Sequence, residues 1–166
     1  TGDAVLPQGV RVVNSRGPVT IWVHETPPHI ASFKWIKDSS PAPYGSGTTY
    51  DVVRISLPYT LVFAVFTGNN QLGSNECFFR NEPLETLDDE LLYPGLLNCS
   101  AVNEPGQEKE GRPLSWICTQ HLNYNNIPAE KNAQQRELLT RLLHCLNETG
   151  FNRSSENHEG SSWFEK

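Results

Sequence analysis

The chain contains no methionine, and its longest apolar run is six residues, Leu61 to Phe66. A helix that crosses a bilayer needs roughly 20 consecutive apolar residues. No helical membrane span is therefore expected, and no membrane partner. Nothing at the start reads as a signal peptide. A chain that opens at Thr1 without methionine is expected to be a fragment, a trimmed product or part of something longer. Basic patches are also missing. The 13 lysines and arginines are scattered, only Lys34 and Lys37 suggest a pair, and the net charge is -6. Nucleic-acid binders concentrate their basic residues, so nucleic acid is excluded as a partner, while a protein partner, including a basic one, stays open. Internal repeats and linker-like boundaries are lacking too. Length and composition fit one domain over residues 1–166, with 1–48 as a β-rich N-terminal extension and 151–166 as a capping tail. Mean hydropathy is -0.48, which implies long loops, but 10% of residues are aromatic and they are spread along the chain, so a core is expected rather than disorder.

Four cysteines, Cys77, Cys99, Cys118 and Cys145, are separated by 22, 19 and 27 positions. These spacings contain neither a paired C-x-x-C site nor the pattern of a disulfide miniprotein. Two disulfides remain arithmetically available. Glycosylation triplets begin at Asn98, Asn147 and Asn152, but such short patterns arise often by chance. Cys99 and Cys145 lie among apolar neighbours, where a free cysteine behaves as a small hydrophobe. Reduced cysteines in the cytoplasm are favoured over a secreted, disulfide-bonded glycoprotein.

Hydrophobic periodicity predicts an α+β fold. Val10–Val13 and Val19–Val23 flank the turn residues 14–17 and form a hairpin, which ends at Pro27-Pro28. Ala31, Phe33 and Trp35 alternate along a half-buried strand, and residues 38–48 have the composition of a loop. Strands are expected at 51–57, 61–66 and 72–79. Pro58 and the turn Gly68-Asn69-Asn70 separate them, and they are read as an antiparallel β-meander. The middle one, LVFAVF, is expected to be covered on both faces. Thr86 and Asp89 have the spacing of a capping box for a short helical turn over 86–92. Residues 100–112 read as an exposed loop, and 114–119 as a strand or buried turn. Leu138, Leu139, Leu142, Leu143 and Leu146 mark a helix over 129–149, with Pro128 placed for its first turn and Gly150 for its C-cap. The aromatic pair Trp163-Phe164 is expected to fold back onto the body.

Few constellations carry chemistry. Cys118 is followed three residues later by His121, a candidate base for a nucleophilic thiol, although a buried structural cysteine beside a surface histidine is the favoured reading of these residues. Cys118, His121, His144 and Cys145 have zinc-ligand chemistry. Adjacent helical residues point about 100° apart, however, so no metal and no cofactor is expected. Asp88, Asp89 and Glu90 read as a solvated acidic helix start rather than an acid–base pair or a cation site. The cluster of serines around His158-Glu159 lacks a nucleophile elbow, so hydrolase chemistry is not expected.

The order of these elements resembles the ubiquitin-conjugating (E2) fold. A meander over residues 51–79 leads to Tyr93-Pro94, then Asn98, then Ile117-Cys118, then the helix. Bacterial E2-like relatives, among them the family called PRTRC system protein B, are the nearest resemblance, and it spans roughly residues 50–146. The resemblance implies a meander packed on a C-terminal helix. It also implies Cys118 as a thioester-forming nucleophile, Asn98 as support for the oxyanion, and a bacterial ubiquitin-like modification system. The sequence departs from that pattern. Leu96-Leu97 stands where His-Pro is usual, the gap from Asn98 to Ile117 is long, and strand-like segments replace the N-terminal helix. A catalytically inactive E2-like scaffold fits the same residues, and Cys99 is a rival nucleophile. The alternative from another class is a non-enzymatic interaction subunit of a larger assembly, docking through the acidic stretch at Asp88 and Asp89 and through Trp163.

Overall fold

Runs of β-branched and aromatic residues alternating with polar ones build strands, and the computed structural model places eight of them before one helix among the residues it describes: 6–35, 51–96, 98–101, 113–119 and 122–148. The strands are β1 (Val10–Arg16), β2 (Val19–Thr26), β3 (His29–Trp35), β4 (Asp51–Leu57), β5 (Tyr59–Phe66), β6 (Leu72–Arg80), β7 (Cys99–Ala101) and β8 (Ser115–Ile117). The helix α1 spans Lys131–Glu148. All pairings are antiparallel, and the fold class is α+β, as expected. The loop over 38–48, most of the loop over 100–112, His121, Gly150 and the tail 151–166 lie outside the described residues.

The N-terminal hairpin forms as expected but with a tighter turn. Strand β1 runs through Asn14, Ser15 and Arg16, and only Gly17-Pro18 turns the chain. Gly17 has a φ of 56° and proline holds its own φ negative, the sign pattern of a type II′ turn, whose twist suits a hairpin. Residues 10–26 are integral to the main sheet, which has the order β1-β2-β5-β6.

The expected meander of 51–57, 61–66 and 72–79 is corrected in one respect. Strands β5 and β6 do pair, but β4 pairs with β3 in a separate two-stranded sheet. Pro58 is therefore not a reversal. Thr26 opposes Thr60 and, three residues on, His29 opposes Leu57, so β2–β3 and β4–β5 form one long ribbon in a single register. At that register Pro28 faces Pro58, with Pro27 beside them. Proline has no N–H for the ladder, so the hydrogen bonding lapses on both strands at one place, and there the ribbon passes from one sheet into the other.

Helix α1 packs against β3, β5 and β8 and so against both arms of the ribbon. Its apolar stripe, Leu138, Leu139, Leu142, Cys145 and Leu146, is buried with Phe33, Leu57, Val62, Phe66 and Ile117 in one core. The helix begins later than expected. Pro128 precedes it, and the Glu130 carboxylate caps it by accepting from the amides of Asn132 (3.0 Å) and Ala133 (2.8 Å). Those two bonds, the Ala133 one first, lower the Glu130 pKa. Buried Gln135 ties the helix to the main sheet. It accepts from Trp22 Nε1 at 2.9 Å and donates to Asn70 Oδ1 at 3.3 Å.

Candidate functional site

A three-residue strand cannot hold itself, and β8 is positioned by side chains from β6. The Asn75 amide mimics a neighbouring backbone: Ile117 N–H donates to its Oδ1 at 2.7 Å, and its Nδ2 donates to the Ile117 carbonyl at 3.3 Å. The Leu114 amide donates to Glu76 Oε1 at 2.9 Å. On the other side β7 pairs with β8, Cys99 opposite Ile117. The Cys118 amide then donates to the Asn98 carbonyl at 2.8 Å, so these two expected site residues sit side by side.

Cys118 leaves this clamp at the edge of an open cavity of about 500 Å³, bounded by Leu72, Ser74, Trp116, Thr119 and Tyr124. Of the four free cysteines it is the one that is not buried. Cys99, the rival nucleophile, is only 5% exposed. A hydrogen bond with the Cys77 thiol, then burial, then the nearness of Cys77 and Cys118 push its pKa well above the ordinary thiol range. A thiol held in its protonated form is a poor nucleophile, which leaves Cys118 as the partly exposed cysteine that lines the cavity.

Asn98 is buried, and its side chain turns to the helix: Nδ2 donates to the Leu146 carbonyl at 2.5 Å. Its Oδ1 lies 3.9 Å from the Cys99 sulfur. One of its two N–H donors is thus already engaged, and the asparagine of that glycosylation triplet is buried. Asn147, at the next triplet, is exposed and donates to the Leu143 carbonyl. His144 is exposed while Cys145 is buried, so the two face different surroundings. Among the described residues no group of three metal-binding side chains converges.

The acidic stretch is a built turn rather than the expected helical one. Asp89 accepts from the Glu85 amide (2.7 Å), the Thr86 amide (3.1 Å) and the Thr86 hydroxyl (2.7 Å). These bonds, with Arg80 nearby, lower its pKa to about 2. No helix follows, because Leu92 must return to pair with Phe79 on β6 through two backbone bonds of 2.7 and 2.9 Å.

Sequence reasoning overlooked Asn75, Glu76 and Gln135. Their one signal was a polar residue followed on its own face by an apolar one: Cys77 two after Asn75, Phe78 two after Glu76, and Leu138 three after Gln135. Asparagine is also a poor strand former, so Asn75 beside Cys77 asked for a partner. Comparison with protein-family models, with curated proteins and with solved structures finds no match for the chain.

Proposed function

We propose that the chain is an E2-like domain that carries an acyl group as a thioester on Cys118 in a bacterial ubiquitin-like modification system. One observation carries the reading: the one cysteine that is not buried lines a cavity, with its amide held by the Asn98 carbonyl, at the end of a strand clamped on both sides. In the reaction the Cys118 thiolate attacks the carbonyl carbon of a donor thioester. A new C–S bond forms, the donor sulfur departs, and it takes up the proton that Cys118 released. In this reading His121 accepts the proton, and Asn98 contributes through its backbone carbonyl, which holds the Cys118 amide, while its side-chain amide serves Leu146.

The test is transfer from a short peptide thioester to the purified chain, followed by mass spectrometry. Wild type should gain one acyl group that hydroxylamine removes. Cys118→Ser should convert this to a slower but hydroxylamine-resistant ester, and Cys99→Ala should behave as wild type. Acylation spread over several sites, or retained in Cys118→Ala, would remove the basis for the reading.

A second reading, a non-enzymatic interaction subunit, is favoured by a different observation. The acidic loop after β6 is firmly tied to the sheet and presents Leu87 at 102% exposure.

A further inference from the structure

Loop order normally comes from buried side chains, but the segment between β6 and Leu92 obtains it from polar bonds. Arg80 donates to the carbonyls of Glu82 (3.2 Å), Pro83 (3.5 Å) and Glu90 (2.6 Å) and pairs with Asp89 at 3.2 Å. A second clasp holds Leu84 through both of its backbone polar groups. Its amide donates to Glu25 Oε2 at 2.6 Å and its carbonyl accepts from Arg11 at 3.0 Å, while Arg11 and Glu25 are themselves paired at 3.0 Å. Asp89 closes the turn over Glu85 and Thr86. The fold thus fixes this loop from three directions.

The side chain at its tip is not used by the fold. Leu87 is 102% exposed, and Leu91, Leu92 and Tyr93 follow at 37%, 38% and 46%. Around them Glu82, Glu85, Asp88 and Glu90 are exposed. The only basic residue of the segment 80–93 is Arg80, already held by Asp89 and the carbonyls. An apolar anchor on a preorganised loop, ringed by carboxylates, is complementary to an apolar pocket rimmed by lysine or arginine. Preorganisation reduces the ordering entropy lost on binding, and the charge ring sets orientation and association rate.

We infer that residues 82–93 are a docking loop that inserts Leu87 into an apolar, basic-rimmed pocket on a protein partner. The inference is independent of Cys118 chemistry.

The test places a photo-crosslinking phenylalanine analogue at position 87 and, as a control, at the exposed helix position 140, in cells of the source organism. A discrete adduct should form from position 87 and not from 140. Peptide mapping should locate it among lysines and arginines of one protein. With that protein purified, Leu87→Ala should weaken binding about thirtyfold, and added salt should weaken it further. Leu87 is fully exposed, so this variant should keep the wild-type unfolding curve. No adduct, equal adducts from both positions, an acidic contact surface, or affinity unmoved by both Leu87→Ala and salt would each overturn the inference.

Discussion

Single polar side chains decide more of this structure than their number suggests. Asn75 supplies both backbone partners of Ile117. Asn75→Ala should orphan a buried donor and an acceptor, at about 1–3 kcal/mol for each group. Urea unfolding checks the sum, and a faster reaction of Cys118 with a thiol reagent checks that β8 has loosened. Gln135 acts similarly for Trp22. Gln135→Leu keeps the volume but leaves a buried indole N–H without an acceptor, so a loss of about 1–3 kcal/mol is expected by the same measurement. In wild type, Cys118 should react with the reagent well before Cys77, Cys99 and Cys145, which should appear only as the protein unfolds. Four equal rates in the native state would contradict the burial that distinguishes Cys118.

At the scale of elements, the helix and the bent ribbon depend on each other. Leu142 is fully buried in the stripe of α1. Leu142→Ala should cost about 2–5 kcal/mol through lost burial and a residual cavity, measured as a shift in the urea midpoint. The loop after β6 has a different dependence, because polar bonds hold it. Asp89→Asn should speed amide exchange at Glu85 and Thr86 while the exchange of β5 stays slow. Periodicity revealed both the helix stripe and the β5–β6 hairpin, since each is set by side chains a few residues apart. The corner at Pro27-Pro28 and Pro58 was legible only as interruptions. Whether proline marks a reversal or a bend depends on which strand lies opposite, and periodicity carries no such information.

For the whole molecule, pH acts through groups with shifted pKa values. Burial lowers the pKa of His24 below 6.5, outweighing a hydrogen bond to Gln8 and the attraction of Glu25. The unfolded chain therefore binds that proton more readily. The His24 contribution to stability is complete above about 6.5 and falls as pH drops below it. Asp89 and Glu130 shift downward, so their contributions are present above ordinary carboxylate values and disappear as pH falls through their folded values, about 2 for Asp89. All three act in one direction. Stability should decline from pH 7 to pH 5 with His24 as a cause, and His24→Gln should flatten that slope in urea titrations.

Sequence alone determined the α+β class, the strands from Val10 to Phe79, the leucine stripe of α1 and the candidacy of Cys118 beside His121, because each rests on residue chemistry or on neighbours within a few positions; Asn98 entered only through the resemblance in element order. Only the tertiary structure decided that β4 joins β3, that Asn75 holds β8, that Asn98 turns its amide to Leu146, and that Cys118 is partly exposed at a cavity while Cys99 is buried beside Cys77. Those outcomes depend on partners 16 to 48 positions apart. Hydrogen-bond satisfaction and packing select such partners, and neither leaves a period in the sequence.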